Sequence, residues 1–375
     1  MNIKLHTIAA LPLLAVLAGC GSGNHVNASN KYIQTNLVAN KASYNPLIVE
    51  PDMQDAWGIS LRPAGAGGHW WVVANKTGKS IEYVGDVNGQ PLHQDALKEV
   101  AIPGPGGGIG TPTGTVFNVS GTGFIITQPA PNGPITAPAK FFFSTDAGTI
   151  TAWTERAHGD GTFDRPTDSI QVWDQSSSGA AYFGMAISPN YDRLYVADFG
   201  TNPKVVVLND TFQDISAGKF ANPFPGFAPF NVQAVGTSIF VAYAQQEVPG
   251  EELHGTGKGK LAEFDLNGSL IAVWNDRKLL NAPWGVVKAP SDFGLYSGKL
   301  LVANFGNGTI TVFDPATHEA IDYLRKSDGE PIVIDGIWDL KFGNGVALGE
   351  ANALYFSAGP NGEADGIFGK IKAVP

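Results

Sequence analysis

A short module recurs six times along this chain, and it constrains the fold more than any other feature. Its first element is an aromatic and a small residue opening a β-prone run. The copies are Trp57-Gly58-Ile59, Phe183-Gly184-Met185, Phe230-Asn231-Val232, Trp284-Gly285-Val286 and Trp338-Asp339-Leu340, with Thr113-Gly114-Thr115-Val116 as a weaker one. Its second element is a β-rich run ending in a polar turn, at residues 71–75, 143–146, 194–198, 240–243, 301–304 and 354–357. A third is an alternating strand closed by an aspartate, as at Asp86, Asp265 and Asp314. The turns Asp86-Val87-Asn88-Gly89 and Asp265-Leu266-Asn267-Gly268 are nearly identical, and Asn-Gly tolerates the positive φ of tight hairpins.

Between the second residues of the first element the steps are 56, 70, 47, 54 and 54 residues. Six units of about four strands match β-propeller blades. Only 36 residues follow Asp339, too few for a full blade and its connection. The β-prone run from Tyr32 to Val38 is unassigned and is expected to supply the missing outer strand. The fold class is therefore all-β: a six-bladed β-propeller over residues 31–375, closed by an N-terminal strand joining the last blade. Closure of this kind buries both free edges. Residues 315–326 fall in the slot of a turn and outer strand, despite a composition that also suits a short helix. Long insertions occupy residues 119–140 in blade two and 245–260 in blade four, and long loops on rigid scaffolds commonly carry function.

Composition agrees. The 47 Gly, 25 Pro and 15% charged residues work against helical bundles, since soluble domains average about 25% charged. A hydrophobic fraction of 43% works against disorder. The formal net charge of −10 argues against nucleic acid as a partner, which calls for a basic face. A single cysteine excludes an intrachain disulfide.

Residues 1–19 read as a lipoprotein signal peptide. Lys4 sits in a short polar start, and the apolar run 7–19 is too short to span a bilayer, which takes about 20 residues. Leu17-Ala18-Gly19-Cys20 resembles the bacterial lipobox, which implies cleavage before Cys20 and lipidation of its sulfur. Residues 20–30 then read as a polar tether. Gly21, rather than Asp, follows the cysteine. The expected location is the bacterial cell envelope, lipid-anchored, with the outer membrane favoured.

The runs LYVADFG (194–200) and LVANFGNGTITVFD (301–314) resemble NHL-type propeller blades. The fuller pattern of DAWGIS, APAKFFFSTDAGTITAW and IDGIWDLKFGNG is similar to a family of uncharacterised secreted bacterial proteins, whose members often carry a surface-sorting signal or lipoprotein leader. The resemblance covers nearly all of the mature chain. It implies the fold and brings no established activity. Gluconolactonase-type six-bladed propellers are distantly similar.

In a propeller, the loop entering each inner strand and the loop after each second strand open on one face. Here that face is expected to gather Asp55, Asn75, Asp146, Asp198, Asn281, Asn304 and Asp335. Oxygen ligands from several blades suit Ca²⁺, which takes six to eight of them. The resemblance to gluconolactonase-type propellers implies a metal that polarises a lactone or ester carbonyl. The metal candidates are Asp55, Asp198, Asn304 and Asp335. For Asp198 and Asn304 the competing reading is a turn cap, and for Asp55 and Asp335 the two readings stay level. Glu50 is nearest to the gluconolactonase glutamate, but Glu50-Pro51-Asp52-Met53 departs from that pattern.

Five inner strands open with an aromatic. Packing at the channel mouth competes with a stacking platform for a sugar, for which Trp57, Trp284 and Trp338 are the candidates. The sequence has no HExxH, no GxSxG and no pair of histidines at metal-ligand spacing. Gly104 to Gly110 reads as a flexible connection into blade two. Glu247, Glu251 and Glu252 read as a solvated face. No residue is nominated as catalytic. The leading function is a monomeric binding or scaffold module whose ligand is an envelope protein or a saccharide. The alternative is a Ca²⁺-dependent hydrolase of lactones or esters.

Overall fold

The computed structural model describes residues 30–374. The residues read above as a signal peptide (1–19), Cys20 and all but the last residue of the expected tether lie outside the described residues. Six sheets, antiparallel but for one edge pair, follow one another around a ring. Their inner strands are Ala56–Leu61, Pro112–Phe117, Tyr182–Ile187, Ala228–Val235, Pro283–Lys288 and Ile337–Phe342, and each packs against the next, the sixth returning to the first. The described residues contain five three-residue 3-10 turns and no α-helix. None of their helices is long and apolar enough to cross a membrane.

The strand sequences follow from their place in the ring. A second strand such as Trp70–Ala74 or Leu300–Asn304 has a neighbouring blade on both faces, so every residue in it is buried. Unbroken runs of apolar and β-branched residues meet that demand. At the rim one face meets solvent, and Ile170–Asp174 and residues 270–273 are half-buried or exposed while Trp274 turns inward. Separate apolar layers fill the gaps between blades: Val196 and Leu208 meet Phe142 and Ile150 between blades two and three, while Tyr195 and Val207 meet Val241 and Phe264 on the far face of blade three.

The small residue of the repeat is explained by the close approach of inner strands. A Cβ on Gly58 would lie 2.5 Å from the Thr113 carbonyl oxygen, and one on Gly285 would lie 2.7 Å from the Trp338 carbonyl oxygen. Where the repeat places Asn231 and Asp339 instead, the side chain bonds the neighbouring strand. Asn231 Nδ2 donates to the Trp284 carbonyl at 2.7 Å.

The run beginning at Tyr32 does close the ring. Strand Tyr32–Ala39 pairs antiparallel with Ile367–Ala373 as the outer strand of the sixth blade. A short strand, Ile48–Val49, then adds a fifth position, parallel to the first. Blade three has three strands rather than four. Past Asn209 the chain makes only a local bridge at Asp214 before a loop carrying Pro223 and Pro225, which lack the amide a ladder needs. The 315–326 segment contains the outer strand Glu319–Tyr323. The two near-identical turns differ: Asn88 and Gly89 both have positive φ, whereas only Gly268 does in the second, where Asp265 Oδ1 accepts the Asn267 and Ser269 amides. Both insertions form hairpins. Ile125–Gln128 pairs with Ile135–Pro138, and Gln246–Val248 pairs with Glu251–Glu252.

Candidate functional site

The channel is filled at one level by aromatic rings. Trp338 is wholly buried, with Trp57 stacked on one side at 3.8 Å and Phe305 stacked at 3.8 Å. Phe183 meets Trp57 edge-on, and Trp284 meets Trp338 edge-on at 6.1 Å. All three tryptophan candidates therefore come together. Trp284 and Trp338 also spend their indole N–H groups within the protein, on the Phe183 carbonyl and on Asp55 Oδ1 respectively. The Trp57 indole N–H is buried and has no partner.

Above this plug lies a cavity of about 590 Å³, with Trp57, Phe183 and Trp338 on its floor. Its polar wall comes from four blades. Asn75 and Lys76 stand on the 3-10 turn that follows the second strand of blade one. Asp146 follows the second strand of blade two, and Glu363 lies between the second and third strands of blade six. Glu252 and His254 come from the blade-four insertion. The hairpin is seated over the channel by the Gly250 amide and Gln246 Nε2, both donating to the Phe199 carbonyl, and by the Gly255 amide, which donates to Asn281 Oδ1.

Asp55 lies beneath this wall. It adopts a left-handed conformation, φ 50°, as it enters the inner strand of blade one, a region that Asp enters more readily than most residues. Its side chain is wholly buried, Oδ1 accepts the Trp338 indole N–H at 3.0 Å, and Oδ2 has no hydrogen-bond partner. Lys76 Nζ lies 3.9 Å from that oxygen and 3.3 Å from Glu363 Oε2. Asp146 accepts from Thr111 Oγ1 and from Asn75 Nδ2. Glu252 Oε1 and His254 Nε2 stand 2.8 Å apart.

Crowding of carboxyl groups in a poorly hydrated cleft raises their affinity for protons. Burial, followed by the charge of Glu363, pushes Asp55 up to about 8. Burial raises Asp146 against the opposing hydrogen bonds from Thr111 and Asn75. Glu363 is raised by burial against the pull of Lys76. His254 is also raised, first by its bond to Glu252.

The other candidates lie elsewhere. Asp198 Oδ1 accepts the Ala181 and Gly200 amides. Asn304 Oδ1 accepts the Asn281 amide, and its Nδ2 donates to Leu279 and to the hydroxyls of Thr309 and Thr311. Asp335 is exposed and accepts the Asn361 amide at 2.9 Å. Among the described residues, no three or more His, Cys, Asp or Glu side chains are grouped so as to hold a metal ion. Lys76, Glu363 and His254 were not singled out by sequence. Glu252, read there as a solvated residue, is mostly buried at the mouth, its side chain 13% exposed.

A second cavity, of about 570 Å³, lies toward the other ends of the inner strands, with Ser60, Thr115 and Gln233 in its wall. The cations beside it are already paired, Arg62 with Glu155 and Lys341 with Asp339.

No family model matches the chain. Two uncharacterised proteins of Acanthamoeba polyphaga mimivirus are similar to it. One is 26% identical over 332 residues, covering 86% of this chain and 76% of that protein. The other is 28% identical over 335 residues, covering 86% and 81%. Among solved structures, streptogramin B lyase matches with a TM-score of 0.44 at 12% identity, covering 92% of this chain and 97% of that one. The Swd1 β-propeller domain of Myceliophteria thermophila matches with a TM-score of 0.46 at 9% identity, covering 85% and 84%. The bacterial family and NHL-like blades expected from sequence gain no support from these matches. The chain is a β-propeller of unknown function with uncharacterised viral relatives.

Proposed function

We propose that this propeller is a binding protein whose ligand site is the channel mouth beneath the blade-four hairpin. The observation that carries this reading is the convergence of side chains from four blades on one cavity above an aromatic floor. Concave sites with a few convergent polar groups and perturbed carboxyls are the usual places for ligands. The leader-like segment ending at Cys20 supports a lipid-tethered location at the cell envelope, with the outer membrane favoured.

The test is a thermal-shift screen of the purified chain against amines, saccharides, dicarboxylates, lactones and Ca²⁺. It is run in parallel on Glu252→Trp, which fills the mouth. A ligand that binds only the native state raises its melting temperature. Shifts seen with the native chain and lost in the variant are expected. Shifts retained in the variant, or none at all, overturn the assignment.

A further inference from the structure

Lys76 occupies the mouth loosely. Its side chain is 44% exposed, and its Nζ stands beyond hydrogen-bond distance of Asp55 Oδ2, at 3.9 Å. Asp55 cannot turn to find another donor. Its Oδ1 is held by the Trp338 indole, and a Cβ on Gly359 would collide with that same oxygen, so the backbone packs tightly behind it. A buried carboxyl oxygen without a donor is rare in folded proteins and costly. In the ionised form Oδ2 therefore lacks one donor, and the residue screening it is a flexible lysine able to swing into solvent. The unpartnered indole N–H of Trp57 sits at the same floor.

We propose that the mouth binds an organic monocation, an ammonium or guanidinium on a short apolar stem, which displaces the Lys76 ammonium and donates to Asp55 Oδ2 and Glu363. The proposal rests on the mouth being the ligand site. Charge supports it: Asp146, Glu247, Glu251, Glu252 and Glu363 line the mouth against Lys76 and His254, with Asp55 behind them, leaving an excess of acid. Size and wall chemistry support an organic cation over a bare ion. A cavity of about 590 Å³ floored by Trp57, Phe183 and Trp338 accepts a hydrocarbon stem, and no metal-binding group of side chains is present among the described residues. Charge-assisted donors at an ideal distance from Oδ2 exceed what the tethered lysine achieves at 3.9 Å. The crowded carboxyls give up protons as the cation enters, so binding releases protons to solvent.

The probe is n-butylguanidinium, a monocation on a four-carbon stem, titrated calorimetrically into the purified chain at pH 7 in two buffers of different ionisation enthalpy. Lys76→Met removes the internal competitor and is expected to tighten n-butylguanidinium about tenfold. Asp55→Asn keeps the oxygen that Trp338 needs and is expected to weaken it about tenfold. If Asp55→Asn fails to fold, Glu363→Gln at the open edge serves for the same loss. Net proton release is expected from the buffer comparison. A blocked tripeptide with one arginine binding as well as n-butylguanidinium points to a protein side chain as the source, and n-butylguanidinium alone to a small free cation; both support the monocation. No n-butylguanidinium binding, weaker binding in Lys76→Met, or preference for glutarate, 1-butanol or Ca²⁺ overturns the inference. If the failure is of the monocation alone, other ligands still lose their shift in Glu252→Trp. If it is of the mouth itself, they do not.

Discussion

Asp339 and Ile59 join the last blade to the first. Oδ2 of Asp339 accepts the Ile59 amide at 2.9 Å, although the residues stand 280 positions apart. Oδ1 accepts the Leu340 amide and pairs with Lys341. One side chain thus satisfies two buried amides at the seam. Asp339→Ala strands both, and each unsatisfied buried group costs about 1–3 kcal/mol. The expected loss in guanidinium denaturation is about 3 kcal/mol, larger than that of Asn231→Ala, whose bridge to Trp284 lies away from the seam. Equal losses would show that the seam is no weaker than any other junction.

Glu82 carries a second prediction. Its side chain is wholly buried in the third strand of blade one, and neither carboxyl oxygen has a hydrogen-bond partner. Burial raises its pKa well above the carboxylate range. The folded state then holds a proton that the unfolded chain releases above about pH 4.5. The stabilisation is complete below that pH and is lost as pH rises toward the folded value, by at most about 1.4 kcal/mol per unit. Glu82→Gln removes this dependence. Its melting temperature is expected to exceed that of the native chain at pH 8 and to converge with it near pH 4. A constant difference across that range would refute the buried acid as the cause.

Local spacing reveals the blades and conceals the mouth. The small residue of the repeat marks four of the six inner strands because its constraint, a close neighbouring strand, recurs at Gly58, Gly114, Gly184 and Gly285, while Asn231 and Asp339 bond across the gap instead. The closing strand at Tyr32 was legible by counting what the last blade lacked. Blade three's missing outer strand was not, because the repeat gives position and not ladder geometry. The mouth depends on pairs far apart in the chain: Trp338 with Asp55 across 283 positions, and Lys76 with Glu363 across 287. No pattern in sequence announces such pairs. The bond from Asp198 to the Gly200 amide spans two residues, which is why turn capping was a readable alternative there while the surroundings of Asp55 were not.

Lys76 offsets the carboxyls around it, so its removal has a pH signature. Asp55 sits at about 8, raised first by burial and then by Glu363, with Lys76 pulling the other way. A folded value above the unfolded one of about 4 means that stability falls as pH rises between them. Without the ammonium both carboxyls bind protons more tightly, and the fall steepens. Lys76→Met is expected to match the native chain near pH 4 and to melt several degrees lower at pH 8. Adding Asp55→Asn should recover much of that loss. Calorimetric melts of the two single variants and the double variant give the coupling, and additive effects would show that the groups do not sense each other.

Trp338 combines packing with the placement of Asp55, and two substitutions separate these roles. Trp338→Ala opens a void between Trp57 and Phe305, which lie stacked at 3.8 Å on the native ring; loss of a buried tryptophan costs about 3–5 kcal/mol. Trp338→Phe keeps much of the stack but deletes the indole N–H that Asp55 Oδ1 accepts. With neither oxygen then hydrogen-bonded, Asp55 holds its proton more tightly, so this variant should lose little stability at pH 5 and more at pH 8. Guanidinium midpoints at the two pH values check this. A loss in Trp338→Phe that does not change with pH would mean that the indole serves the channel only as bulk.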